Sequence, residues 1–291
     1  MHTLVLGAGY SGYHIVEQAL QMGAVTATRR DRATMSELNA LGARVVVFDG
    51  VLQQDLRQEL ASATHLISSV PPGRQSPLND PVLSLLSTLD RGELPALQWV
   101  GYLSTIGVYG DHSGAWVDEQ TPCQSQQMRS LLRLEAEEAW RNLGHRWNIP
   151  IAILRLSGIY GPGRNALINA LDGRTRLVIK PDQVFNRIHV GDLATATLLA
   201  ASEQFDGVVN VTDDTPAPIQ DVVHYAYDLL GRAHPPVQPF ASAEMSDMAR
   251  SFYSENKRVS NRLSKTVLRM RYRYPSYREG LRALHEQMES A

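Results

Sequence analysis

Short runs of apolar and β-branched residues recur along this chain between longer segments whose apolar positions fall at helical spacing. The first run, Leu4-Val-Leu6, leads into a helix-like segment over residues 13–22. The same reading predicts a strand over 23–28, a helix over 31–41 closed by Gly42 and a strand over 44–48. A polar helix over 53–61 and a strand over 64–70 follow, and Pro71-Pro72-Gly73 then interrupts regular structure. Asp80-Pro81 offers an N-cap and a first-turn proline to a helix carrying Val82, Leu83, Leu85, Leu86 and Leu89, which stops near Gly92. A fifth strand over 97–105, a long helix over 125–143 stopped by Gly144 and a sixth strand over 149–156 complete the regular part. Strands alternating with helices at this spacing predict a parallel, doubly wound sheet with right-handed crossovers.

Beyond residue 157 the alternation relaxes. Helices are expected over 165–172, from Asp192 to 203 and over 219–230, with short strands over 177–179 and 207–211 and an extended linker over 234–239. The predicted fold class is therefore α/β, a Rossmann doubly wound parallel sheet with a smaller mixed C-terminal substrate lobe. Residues 1–157 form the expected dinucleotide-binding domain, to which 187–211 return. Residues 158–186 and 212–291 build the lobe over the C-terminal strand ends, where ligands of such sheets bind.

The chemistry begins at the first strand. Gly7, Gly9 and Gly12 stand in G-x-G-x-x-G spacing between that strand and a helix, the context of a dinucleotide site. Gly7 allows the sharp turn, Gly9 the approach of backbone to a pyrophosphate, and Gly12 close packing of helix on strand. Tyr10 and Ser11 lie at the helix start, where unpaired N–H groups and the helix dipole favour phosphate. The second strand ends in Thr28 where an NAD-selective site places an acid, and Arg29 and Arg30 follow. A guanidinium grips a 2′-phosphate in bidentate fashion, so NADP(H) is favoured over NAD(H). The competing reading is a solvated basic turn with Asp31 capping the next helix. Asp49, before Gly50, suits either an adenine amino group or a turn cap. Ser69, Val70 and Pro71 after the fourth strand, with Leu156 and Gly158 at the sixth, complete the expected cofactor-binding set.

Composition narrows the partners. The 291 residues are 43% hydrophobic and 20% charged with a net charge of -2, which gives no electrostatic case for nucleic acid or an anionic membrane. The single cysteine, Cys123, excludes an internal disulfide or a cysteine-cluster metal site, and the nine histidines show no ligand-like spacing with a carboxylate, so no metal is expected. No run approaches membrane-spanning length and the opening apolar run is too short for a signal peptide, so a cytoplasmic location is expected.

Several longer motifs run through the chain: Gly7-Ala-Gly-Tyr-Ser-Gly12, Ser104-Thr105 with Val108-Tyr109-Gly110, Asp118-Glu119 with Pro122, and Arg155-Leu-Ser-Gly-Ile-Tyr-Gly-Pro-Gly163. Ile188-His-Val-Gly-Asp192 and Tyr274-Pro-Ser-Tyr-Arg-Glu-Gly-Leu281 complete them. With these motifs the chain resembles the extended and atypical short-chain dehydrogenase/reductases, the NAD-dependent epimerase/dehydratase superfamily, and most of all its atypical, YeeZ-like branch. The resemblance implies a catalytic Ser or Thr at the end of the fifth strand, which falls on Thr105. It also implies a Y-x-x-x-K pair on the next helix, whose lysine position falls on Arg133 and whose tyrosine position falls on Arg129. No tyrosine stands between Tyr109 and Tyr160.

Arginine stays protonated near neutral pH, so Arg129 is no ordinary proton-transfer group. Three readings stay open. Tyr109 or His189 supplies the proton; Arg129 holds an anionic substrate or polarises a carbonyl; or the protein binds cofactor without hydride chemistry. The candidate catalytic residues are Thr105, Tyr109, Arg129 and Arg133, the last also binding the cofactor's ribose. His189 equally suits a structural histidine, and Glu137–Arg141 an i,i+4 pair on a solvated face. Arg164 and Arg187 are candidates for an acidic or phosphorylated substrate. The expected function is an NADP(H)-binding oxidoreductase or epimerase-like enzyme acting on a small polar carbonyl or sugar-derived compound. The alternative is a catalytically silent NADP(H)-binding regulator or redox sensor. A small-molecule substrate is the expected partner. A monomer or a homodimer is expected, since the apolar residues from Val82 to Leu89 and Leu131, Leu132 and Leu134 suit either a subunit contact or the sheet.

Overall fold

Alternation inside the first strand sets the layers of the molecule: Leu4 and Leu6 face one side of the sheet and Val5 the other, all fully buried. The computed structural model describes residues 1–73 and 80–290. In chain order it begins with β1 (His2–Leu6), α1 (Tyr10–Ala19), β2 (Ala24–Arg29), α2 (Ser36–Ala40), β3 (Arg44–Val47) and α3 (Gln54–Ser62). β4 (His65–Ser68), α4 (Pro81–Ser87), β5 (Trp99–Thr105), β6 (Trp116–Val117), α5 (Met128–Trp147), β7 (Ile151–Leu156) and β8 (Gly158–Tyr160) follow. Then come α6 (Ala166–Leu171), β9 (Leu177–Ile179), β10 (Arg187–His189), α7 (Val190–Ser202) and β11 (Gly207–Val211). α8 (Ile219–Leu229), β12 (Val237–Pro239), α9 (Asp247–Phe252), β13 (Arg258–Val259), α10 (Arg262–Val267) and α11 (Tyr277–Glu289) close the chain.

The large sheet has the order β11-β7-β5-β4-β1-β2-β3, and every pairing in it is parallel. The chain winds outward from β1 through β2 to β3, then crosses back to place β4 on the other side of β1. This reversal leaves a crevice beyond the carboxyl ends of β1 and β4, the place where open α/β sheets bind ligands.

Helices α1 and α7 cover one face, where Ile15, Val16, Leu193 and Leu198 meet Val5, Ile67 and Leu154. Helices α3, α4 and α5 cover the other, where Leu60, Leu86 and Trp140 meet Leu4, Leu66 and Ile153. Val82, Leu85, Leu86, Leu89 and Leu132 are buried, so within this chain most of that apolar set faces the sheet, while Leu131 is exposed. A separate cluster, with Leu167 of α6, Val222 of α8 and Leu281 of α11, forms the core over the carboxyl side of β7.

Three of the helix boundaries that differ from the sequence reading bear on the site or its packing. The first helix starts at Tyr10, so Gly12 lies within its first turn. The helix expected over 31–41 splits: the Asp31 carboxylate accepts from Ala33 N at 2.9 Å and caps a short 3₁₀ turn ahead of α2. Gly144 does not stop α5, which runs on to Trp147 and ends at Asn148 in the left-handed region (φ 52°). A Cβ on Gly144 would lie 2.5 Å from Ile151 Cγ1 and 2.9 Å from Ile149 O, so the glycine serves the close seating of α5 on β7. Gly144→Val is expected to lower the unfolding free energy by roughly 1–3 kcal/mol through overpacking. Urea denaturation measures it, and an unchanged midpoint would mean that Ile151 moves aside freely.

Candidate functional site

The turn between β1 and α1 is sterically closed on two sides and open on the third. Gly7 has φ +85°, and a Cβ there would meet Val70 Cγ2 at 2.7 Å. A Cβ on Gly12 would lie 2.8 Å from Gly7 O, so α1 presses directly on the turn. A Cβ on Gly9 meets nothing within 4 Å, so any side chain there would fill open space above the start of α1. Thr28 and Ser69 brace the turn: Gly7 N donates to Thr28 Oγ1 and Ala8 N to Thr28 O, each at 2.9 Å, and Ser69 Oγ donates to Gly7 O. No side chain caps the first turn of α1, which leaves its N–H groups to a ligand.

This turn is the middle of a cleft of about 830 Å³. Gly7, Gly9, Tyr10, Ser11, Thr28, Arg29, Arg30, Asp49, Gly50, Ser69, Val70, Pro71, Arg133 and Leu156 all line it. Gly12 and Gly158 do not: Gly12 backs the turn, and Gly158 N donates to Asn186 O at 3.1 Å. At one end Arg29 Nε is buried with no hydrogen-bond partner among the described residues. An orphaned guanidinium donor there, the unfilled space over Gly9 and the uncapped helix fit a dinucleotide's phosphates. Asp49 Oδ1 accepts from Val51 N at 3.1 Å, so the turn-cap reading holds while the residue still faces the cleft. Phe48 and Thr34 also line this end, unforeseen from sequence; an aromatic residue ending the third strand was the available signal.

The other end is formed by Leu103, Ser104, Thr105, Arg133, Ser157 and Ile159. Thr105 Oγ1 accepts from Gly107 N at 3.1 Å, capping the 3₁₀ turn over Ile106–Tyr109. Arg133 Nη1 donates to Leu103 O, and its guanidinium lies 5.5 Å from the Tyr102 ring centroid. Tyr109 and Arg129 stand elsewhere. Tyr109 is fully buried, its OH donates to Asn210 Oδ1 at 2.8 Å, and burial pushes the phenol up to about 12. Arg129 lies 4.3 Å over the Phe252 ring. His189 is buried between Tyr160 and Tyr274, and its Nδ1 accepts from Gly191 N at 3.1 Å to cap α7. Burial, with His14 and Arg273 nearby, pulls its imidazole down to about 4, so it is neutral near pH 7. The nearby Asp192 carboxylate accepts from Arg273 N and Tyr274 N at 3.0 and 2.9 Å, joining two of the long motifs.

Beneath the cleft runs a buried polar network that corrects the reading of Glu137. Glu137 is 1% exposed and pairs with Arg155 (2.8 Å, 6% exposed), not with Arg141 on a solvated face. Ser104 Oγ donates to the same carboxylate. The Arg155 guanidinium also lies 4.9 Å from the Tyr109 ring, and Asn210 N donates to Glu119 Oε1 at 2.7 Å. The signal for this pair was Arg155 itself, a cation in the otherwise apolar strand Ile151-Ala-Ile-Leu-Arg-Leu156, which demands a buried counter-charge.

The sequence pattern of the NAD dependent epimerase/dehydratase family matches residues 82–212. A conserved protein of unknown function from Silicibacter pomeroyi DSS is 41% identical, with 99% of each chain covered and a TM-score of 0.88. UDP-glucuronic acid 4-epimerase from Bacillus cereus, solved with NAD, shares the fold at 19% identity, with 100% of this chain and 99% of that one covered and a TM-score of 0.79. A 3-diazoavenalumate denitrifying reductase from Streptomyces sp is 26% identical over 185 residues, 60% of this chain. The chain spans 58% of that curated relative's length.

Removing one partner of the buried pair strands the other, so Glu137→Ala is expected to cost about 3–5 kcal/mol of stability. Chemical denaturation measures the loss, and a change near zero would show that Arg155 reaches water. The His189 imidazole titrates lower folded (about 4) than its ordinary 6.5, so its stabilising contribution is full above about pH 6.5 and is lost as pH falls toward 4. Thermal midpoints across that window should fall less steeply in His189→Asn, whose side chain still caps α7. Parallel slopes would assign the acid sensitivity to other groups.

Proposed function

We propose that the chain, whose residues 82–212 match the NAD dependent epimerase/dehydratase family, is an NADP(H)-dependent oxidoreductase or epimerase-like enzyme acting on a small polar carbonyl or sugar-derived substrate. The observation that carries this reading is the single cleft that joins the open glycine turn, the Arg29 guanidinium and the Thr105–Arg133 end. The Bacillus cereus epimerase and a dTDP-glucose 4,6-dehydratase from Bacillus anthracis str. Ames are both described with NAD, which supports a nicotinamide dinucleotide as the cofactor class. When bound, that cofactor supplies or accepts hydride.

The chain's own residues divide the remaining work. The turn from Gly7 to Gly12 seats the pyrophosphate, and Arg29, with Arg30 beside it, takes the 2′-phosphate. Arg133 donates to ribose hydroxyls and adds positive potential where oxyanion character develops on a carbonyl. Thr105 Oγ1 accepts from Gly107 N, which leaves its own hydrogen to donate to the substrate oxygen. Ser104 gives its hydrogen to Glu137 and so acts only as an acceptor toward the cleft.

A second reading, a catalytically silent NADP(H)-binding regulator or redox sensor, is favoured by one observation. The phenol of Tyr109 is buried and donates to Asn210, and the buried imidazole of His189, with Nδ1 spent on Gly191 N, does not line the cleft. Titration with NADPH, NADP⁺ and NADH, by calorimetry or nicotinamide fluorescence, tests the cofactor. Arg29→Ala should weaken NADPH roughly tenfold or more while sparing NADH; equal losses would remove Arg29 from 2′-phosphate recognition. Gly9→Val should abolish binding of both, and retained binding would sink the glycine-turn assignment. Thr105→Val separates the two functions: loss of carbonyl turnover supports the enzyme, whereas tight, redox-selective binding without turnover on any carbonyl supports the regulator.

A further inference from the structure

A second pocket, of about 420 Å³, lies between α6, α8 and α11 and meets the cofactor cleft at Ile159, which lines both. Apolar Val222 and Leu281 form part of its wall, but its chemistry is dominated by Arg164, Arg174, Arg176 and Arg187, and no described carboxylate lines it. Arg174 is paired with Asp172. The other three form no ion pair among the described residues.

Arg187 carries the argument furthest. Its Nη1 donates only to neutral backbone carbonyls, Phe185 O at 2.9 Å and Ala217 O at 3.0 Å. Asp213 is the foremost acid acting on it, but it forms no ion pair with Arg187, and burial pushes that 1% exposed carboxyl up from its ordinary value. Arg187 is thus half-buried on the pocket wall with no carboxylate at ion-pair distance among the described residues, an arrangement that a bound anion would complete. Thr175, on the same wall, keeps its Oγ1 buried with no partner among the described residues. Arg164 lies 5.6 Å over the Tyr10 ring, and Tyr10 lines the cofactor cleft, so the cationic wall reaches the boundary between the two spaces.

We propose that this pocket binds an oxyanion carrying two negative charges, and that the oxyanion is the tail of the substrate whose reacting carbon lies past Ile159 at Thr105. The word substrate rests on the oxidoreductase reading above; the anion site itself does not. A phosphate monoester and a dicarboxylate share this chemistry, and inorganic phosphate and malonate are their probes.

Calorimetric titration of the full chain with inorganic phosphate, at constant ionic strength, should show saturable binding. Arg176→Ala, at an exposed position, and Arg187→Met should each weaken it roughly tenfold or more. Should Arg187→Met fail to fold, Arg176→Ala and Arg176→Glu decide. Phosphate also suits the glycine turn, so the same titration on Gly9→Val is the control: binding that persists there and weakens in Arg176→Ala supports the pocket. Binding lost in Gly9→Val and intact in Arg176→Ala, or absent from the wild type, overturns it. Malonate binding tighter than phosphate, with the same arginine dependence, identifies the tail as a dicarboxylate; the reverse identifies a phosphate ester. If no nicotinamide dinucleotide binds the wild type while this arginine pattern holds, the oxidoreductase reading falls and the anion site stands.

Discussion

Everything in the cleft depends on how closely α1 can approach β1. With no Cβ on Gly12 the helix rests against the Gly7 carbonyl, and with none on Gly7 the turn fits under Val70. That contact fixes where the first N–H groups of α1 point, and Thr28 and Ser69, from the strands on either side, hydrogen-bond the turn in place. The reversal of winding between β1 and β4 then opens space directly in front of it. A larger residue at either position would push α1 outward, and its packing against α7 on the same face would have to yield with it.

The floor under the opposite end is polar rather than apolar, and it is held by charge. The Glu137 carboxylate on α5 binds Ser104 of β5 and Arg155 of β7, so one buried anion joins three elements. Arg155 in turn stacks on Tyr109, whose hydroxyl is spent on Asn210 of β11. Such a network costs desolvation, and it repays that only with every member satisfied, which makes it a rigid platform rather than a source of mobile protons. It also explains why Tyr109, close to the end of the fifth strand, offers no phenol to the cleft: this tyrosine is part of the floor.

Local patterns carried most of the architecture. Short apolar runs, Gly42 after a helix, and the Asp80-Pro81 cap all describe interactions between near neighbours, and the parallel, doubly wound sheet followed from the alternation of strands and helices. The glycine turn was legible because its spacing lies within six residues, although the contacts that hold Gly7, from Val70, Thr28 and Ser69, come from elsewhere in the chain. Glu137 was misread because an i,i+4 partner is visible in a sequence whereas a strand partner across the fold is not. Gly144 was misread because glycine ends helices in general, while here the contact that requires it comes from Ile151 on the next strand. The arginine pocket was half legible: Arg164 and Arg187 directly flank two of the motifs, but Arg174 and Arg176 join them only through the packing of α6 on α8.

The stacking of Arg164 on Tyr10 has a thermodynamic consequence of its own. Tyr10 is the first residue of α1 and is tied through its hydroxyl to Pro162 O at 3.2 Å, so one side chain spans the phosphate-facing helix end and the loop before α6. A ligand that draws Arg164 toward the smaller pocket alters the contacts of Tyr10, and with them the free energy of whatever rests on that helix end. Linkage makes the effect mutual: the factor by which one ligand changes the affinity of the other is the same in both directions. Two occupants of adjoining spaces would then load as a coupled pair, their order of arrival set by kinetics and their cooperativity by the contacts that Tyr10 makes with Arg164 and Pro162.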